Sequence, residues 1–197
     1  MKDDFKKFIE ALNDSISEET LLKNLKLASI FIATYENFKK SMAQKVKYLY
    51  YSGFKNEKEQ FAGYKENVLK NMKEVQATLE WLKKEGAFNE AECKSFDCYR
   101  ETRNKFSHNL TQLLWDGFPI DALNQLEDML DLYEKFDKWW IMEIEIPTSG
   151  EYTISEAEDL MPNEYFSFGY AYIITVREIV VRDLYNLKKN NPSAIKH

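Results

Sequence analysis

The apolar residues of this chain recur mostly at spacings of three and four, which predicts helices from one end to the other. Phe5, Phe8, Ile9 and Leu12 form one stripe, so a first helix is expected from about Asp3 to Asn13. Ser17 and the glutamates after it read as an N-cap and an acidic first turn. A long helix should follow to about Tyr51, on a stripe of Leu21, Leu25, Ala28, Ile32, Tyr35, Met42, Val46 and Leu49. Gly53 ends it. A third helix is expected from about Asn56 to Lys84, carrying Phe61, Tyr64, Val68, Met72, Val75, Leu79 and Leu82, with Gly86 as the residue after its cap. Asn89 should cap a fourth, running to about Trp115, and DGFP at 116–119 reads as a turn. A fifth spans about Ile120 to Trp140, with Leu123, Leu126, Leu130, Tyr133 and Phe136 on one side.

The period then changes. In 140-WIMEIEIPTSGEYTIS-155, Trp140, Met142, Ile144 and Ile146 alternate with Glu143 and Glu145, the pattern of a strand. A small β-hairpin near 141–155 is therefore expected. The last helix, about Asn163 to Lys189, is apolar on several faces, and the tail 191–197 should be mobile. No break in composition divides the chain. The expected fold is all-α: a single domain over 1–190 built as a bundle of about five or six helices, with that minor β element.

Composition narrows the function classes. Six glycines and four prolines in 197 residues suit long helices rather than many turns. A net charge of −6 argues against indiscriminate binding to nucleic acid, and no DNA partner is expected. Cys93 and Cys98, five apart on one helix, match neither a disulfide nor a zinc pattern. They read as reduced thiols, which suits a cytoplasmic protein. No apolar run is long enough for a membrane span. No histidine–cysteine cluster suggests a metal, and no cofactor is expected.

Arginine is scarce: Arg100, Arg103, Arg177 and Arg182 are all there are. Two of them sit on apolar stripes. Arg103 shares a sector with Phe96, Tyr99, Phe106, Leu110 and Leu113, where a guanidinium is costly unless paired or opened onto a site. Arg177 lies among Phe166, Tyr170, Ile173 and Leu184 and needs a carboxylate; Glu36, at the margin of its own stripe, is one candidate. His108, five residues after Arg103, lies about 140° round a continuous helix. It is one turn after Asn104, on a mostly polar face with Asp97, Glu101, Thr111 and Trp115. One helix does not bring Arg103 and His108 tip to tip. A site that uses both needs a bend, another helix, or a second copy of this one.

The stretch Arg103-Asn104-Lys-Phe-Ser-His108 resembles the signature of the HEPN superfamily, an all-helical group found in many prokaryotic defence and toxin systems. Its pattern is an arginine, four to six residues, then a histidine, often with Asn or Asp after the arginine. Glu36 and Lys40 are similar to a glutamate–lysine pair on an earlier helix of some members, though Glu/Lys at this spacing is also a common surface ion pair. The resemblance implies a metal-independent endoribonuclease. Its catalytic residues would be Arg103 and His108, assembled at a homodimer interface. Asn104 would orient the histidine or bind phosphate. Lys105 and Arg100 would attract RNA, and Glu36, Lys40 and Arg177 would have supporting or structural roles. It also implies RNA as substrate, cleaved to 2′,3′-cyclic phosphate and 5′-OH ends in phage defence or a toxin–antitoxin system, with an antitoxin or other regulatory protein as a further partner. The alternative is a non-catalytic helical interaction module.

Overall fold

The computed structural model describes residues 18–53, 56, 59–109, 121–149 and 168–182. Every regular element among them is helical. The expected first helix at 3–13, the Ser17 cap, the DGFP turn and the 191–197 tail lie outside the described residues.

The organising element is α1, Glu18–Leu49, which at 1.5 Å per residue is about 48 Å long. Four elements follow it: the single turn α2 (Ala62–Tyr64), α3 (Glu74–Lys84), α4 (Glu90–His108) and α5 (Ala122–Trp140). The chain then runs through α6 (Ile146–Ser149) to α7 (Phe168–Thr175). Helices α3, α4 and α5 all pack on α1, and α7 packs on α5. Burial from several sides explains why α1 hides more than its expected stripe. Ala28, Tyr35, Met42 and Val46 are buried as expected, but Phe31 and Phe38, outside that stripe, are fully buried. Leu49, within it, is largely exposed.

Aromatic rings fill the seam. Phe38 stacks on Tyr133 of α5 at 4.5 Å with an interplanar angle of 12°. It also meets Phe96 of α4 edge-on at 5.6 Å, Phe88 at 6.4 Å and Phe136 at 6.0 Å. Such ring pairs add to the stabilisation that burial alone supplies. On α5 the expected stripe of Leu123, Leu126, Leu130, Tyr133 and Phe136 is buried throughout.

The helix ends follow local chemistry. Asn89 and Glu92 form a reciprocal capping box: the Asn89 side chain accepts from the Glu92 backbone N–H, and the Glu92 carboxylate accepts from the Asn89 N–H. Gly86 takes φ +84°, the left-handed conformation expected of a residue after a helix cap.

Three expectations need correction. The third helix is not continuous from Asn56 to Lys84. A π-helical stretch, Lys65–Leu69, continues α2, and then Lys70 (φ 43°) and Asn71 (φ 66°) turn the chain before α3. Asparagine tolerates this region better than most residues, which makes Asn71 the local signal for the break. The fourth helix ends at His108, with Asn109 as its cap, rather than at Trp115.

The third correction concerns the β-hairpin near 141–155. Residues 141–149 are helical: α5 runs straight into a π-helical stretch, Ile141–Glu145, and then into α6. The alternation was misleading because the residues it pairs are not equally buried. Trp140, Ile141 and Ile146 are buried, whereas Met142 and Ile144 are only partly so. A widened helical turn puts Ile141 and Ile146, five apart, on one side, where a strand would place them on opposite faces. Residues 150–155 lie outside the described region.

Phe38→Ala should cost about 3–5 kcal/mol of unfolding free energy, because it leaves a void among four rings. Urea unfolding followed by circular dichroism would measure this. A loss below about 1 kcal/mol would mean that the seam repacks freely.

Candidate functional site

Helix α4 presents Phe96, Tyr99, Thr102 and Phe106 to the core. Its orientation is fixed from two sides. Phe106 meets Phe31 of α1 edge-on at 5.3 Å, and the Thr102 hydroxyl donates to Gln125 Oε1 of α5 at 2.7 Å. Arg103 shares this inward side, so its guanidinium lies half-buried against α1.

Three things happen to that guanidinium. Its Nη2 forms an ion pair with Glu36 Oε1 on α1. Its Nη1 donates to Asn104 Oδ1 at 3.1 Å. Its Nε is buried and has no hydrogen-bond partner among the described residues. Glu36 in turn accepts from Lys39 through its other oxygen. Partial burial pushes the Glu36 carboxyl up, but the Lys39 ammonium and then Arg103 outweigh it and hold it below the usual glutamate value.

His108 is exposed in the last turn of α4, as are Asn104 and Lys105 nearby. The half-turn offset read from the sequence is thus present: Arg103 faces inward and His108 outward. Asn104 is engaged with Arg103, its immediate neighbour. Arg100 is exposed and pairs with Asp97 at 3.0 Å, one turn earlier on the same helix.

Among the supporting residues, Glu36 does meet α4, but the lysine beside it is Lys39 rather than Lys40. Lys40 is exposed and forms no ion pair among the described residues. Helical spacings of three and four both permit contact, and the rotation of α1 decides between them. Arg177 does not reach Glu36. It lies in a π-helical stretch, Val176–Val181, and is held by Asp131 and Glu134 of α5. Those two carboxylates, three apart at the margin of the α5 stripe, were the available signal.

A further charged cluster was not anticipated at all. Asp137 is 2% exposed and accepts from Lys45 of α1 at 2.9 Å; Glu145 lies 3.6 Å from the same ammonium. Lys45 also lies over the rings of Phe136 and Trp140, at 5.8 and 5.7 Å. Gly169 of α7 approaches so closely that a Cβ there would lie 3.3 Å from Asp137 Oδ1.

Among the described residues, no group of three or more His, Cys, Asp or Glu side chains is placed to hold a metal ion. No helix among them is long and apolar enough to cross a membrane. Cys93 and Cys98 are both free thiols. Comparison with family models, curated proteins and solved structures finds no match to this chain.

The Glu36 geometry has a consequence for stability. A carboxyl held below its usual value stabilises the fold fully above the usual carboxylate range and loses that contribution as pH falls through the depressed value. Because the pair is about one-third exposed, its worth is modest. Glu36→Gln should cost about 0.5–1 kcal/mol near pH 7, with the difference closing below about pH 4. Urea unfolding of both proteins at the two pH values would check it; a difference that does not change with pH would sink the charge argument.

Proposed function

We propose that this chain is a metal-independent endoribonuclease of the HEPN type, with a site completed when two copies of α4 meet. The observation that carries the reading is the placement of Arg103. A guanidinium on the core side of α4 is oriented by Glu36 and Asn104, while His108, five residues on, projects from the last turn of the same helix.

The residue chemistry suits the reaction. Imidazole titrates near neutrality, so one histidine can take the proton from a ribose 2′-OH while another donates one to the departing 5′-oxygen. The 2′-oxygen attacks the adjacent phosphorus, the P–O5′ bond breaks, and the products are a 2′,3′-cyclic phosphate and a 5′-OH. Arginine supplies fixed charge and parallel N–H donors to the crowded phosphoryl oxygens. A single α4 offers one histidine facing away from its arginine. A symmetric pair offers two of each around one cleft, which is why the reading calls for a homodimer.

In this scheme Glu36 is a positioning residue. It acts through Arg103, and Lys39 keeps it ionised. Lys105 and Arg100 lie on the exposed side of α4, where they can meet RNA phosphates. An antitoxin or other regulatory protein that covers this face would silence the enzyme, as a defence or toxin–antitoxin role requires. Cytoplasmic residence follows from the same role and from the free thiols.

A second reading also has an observation in its favour. The Arg103–Glu36 pair ties α4 to α1 and would do so equally in a non-catalytic interaction module. The two readings diverge on His108, which is exposed and makes no such contact among the described residues.

Arg103→Ala and His108→Ala should each lower RNA cleavage at least about 100-fold. Cleaved ends should carry cyclic phosphate, and sedimentation equilibrium should show a dimer. Unchanged cleavage in either variant, or a strict monomer with full activity, would overturn the proposal. Cleavage absent from the wild type, with one stoichiometric protein captured instead, would favour the interaction module.

A further inference from the structure

At the C-terminal end of α1, well away from Arg103, aromatic and basic side chains gather without an evident structural need. Tyr48 and Tyr51 are 62% and 45% exposed, a large cost in apolar surface for residues that could have been polar. They flank Phe61, at ring separations of 5.8 and 5.7 Å, and the Lys47 ammonium lies 4.6 Å from the centre of that same ring. Tyr50, between them, turns the other way. It accepts a hydrogen bond from Trp81 Nε1 at 3.0 Å, and these two residues help to line a cavity of about 850 Å³.

The cavity lies where the third helix breaks, and its chemistry is mixed in an informative way. Trp81, Tyr50 and Met72 supply ring and apolar surface; Gln76 and Asn67, whose amide N–H also donates to Gly63 O at 2.9 Å, supply amides; Lys70 supplies positive charge, as does Lys84, which also lies 3.4 Å from Glu85. The exposed Gln76 side chain makes no hydrogen bond among the described residues. Glu80, the one acidic side chain among the described lining residues, is met by Lys83 at 3.0 Å. Lys70 stands on the left-handed turn, φ 43°, a backbone state that most side chains avoid and that tends to persist where a site requires it. A flat ring, hydrogen-bonding edges and an anion are what such a lining accommodates: a base with its phosphate.

We propose that this end of the molecule is a subsite for single-stranded RNA. One unpaired nucleotide enters the cavity with its phosphate against Lys70 and Lys84, and the strand continues round the end of α1 to Tyr48 and Tyr51, which stack further bases. Stacking on exposed rings beside lysines is how proteins hold unpaired strands without reading sequence. Tyr48 is twelve residues beyond Glu36, about 18 Å along α1, so a strand could engage both the middle and the C-terminal end of the helix. The choice of a polynucleotide rests on the ribonuclease reading; the choice of a base and phosphate rests on the lining alone.

The test is binding, not cleavage. A labelled, unstructured 2′-O-methyl RNA of about a dozen nucleotides cannot undergo attack by its 2′-oxygens, so fluorescence anisotropy reports affinity whatever the catalytic state. Tyr48→Ala/Tyr51→Ala should weaken binding at least about 25-fold relative to wild type, as the loss of two stacked bases predicts (about fivefold or more for each). Lys70→Ala/Lys84→Ala should weaken it too, and should flatten the slope of log affinity against log salt by about 0.7 for the one phosphate no longer neutralised. Circular dichroism of each variant checks that the helices remain.

Wild-type affinity and salt slope in both variants, with folds intact, would overturn the proposal. So would a wild type that fails to bind the strand at micromolar concentration. Displacement of the strand by an equal concentration of adenosine monophosphate would assign the cavity to a free nucleotide and overturn the strand reading. A change in sedimenting mass in the tyrosine variant, with RNA affinity unchanged, would make the patch a protein interface. A wild type that binds through these residues but cleaves no RNA keeps the subsite and removes the ribonuclease. A wild type that cleaves, with variants that bind normally, does the reverse.

Discussion

The stack of Phe38 on Tyr133 is the contact around which the molecule is arranged. It is close and nearly parallel, and it sets both the separation and the rotation of α1 against α5. Phe96 and Phe88 close on the same ring from α4 and its approach, so one side chain of α1 fixes the positions of two other helices. Interiors this dense transmit rotation from one helix to the next rather than absorbing it. Once Phe38 faces the seam, the angular position of every other residue on α1 follows.

The charged residues obey that rotation. Glu36 precedes Phe38 by two positions, which carries it to the margin of the seam on the α4 side, where Arg103 waits. Lys45, two turns further on, reaches Asp137 in the α5 wall. Arg177 finds Asp131 and Glu134 on α5. Each cation lies beside apolar surface and meets a carboxylate, which is the condition under which such a charge is tolerable. The three clusters join α1 to α4, α1 to α5, and the Val176–Val181 stretch to α5. They hold the helices in register where apolar contact alone would permit sliding. Only the Arg103 cluster has a histidine within one and a half turns on the same helix, and that histidine is exposed.

The middle of α1 and its C-terminal end carry different side chains. Its middle holds the arginine; its C-terminal end carries the tyrosines and the cavity. Helix α4 runs antiparallel to α1, with Phe96 against Tyr35 and Phe106 against Phe31, and it stops at His108, so the histidine occupies a helix terminus on the side of Arg103 away from the tyrosines. A terminal position leaves the imbalance between Arg103 and His108 uncorrected within one chain. It also leaves the imidazole open to a partner copy, and this is the physical basis for reading the site as shared.

Much of this was written in the local sequence. The 3.6-residue period indicated the three long helices, with the fourth expected helix running on to Trp115 instead of ending at His108, and Asn89 indicated a cap, because these are interactions of a chain segment with itself. The inward position of Arg103 and the outward position of His108 followed from helical geometry in the same way. The break at Lys70–Asn71 had only Asn71 as a signal, and the helical path through 141–149 had a misleading one, since the alternating Met142 and Ile144 are only partly buried and the buried pair is Ile141 and Ile146. What only tertiary structure decided was partnership: Lys39 rather than Lys40 for Glu36, Glu36 for Arg103, Asp131 and Glu134 for Arg177, Lys45 for Asp137. Local periodicity states which way a side chain points. Which charge it meets depends on how helices distant in sequence are rotated against one another, and rings such as Phe38 and Tyr133 set that rotation only once the whole core has closed.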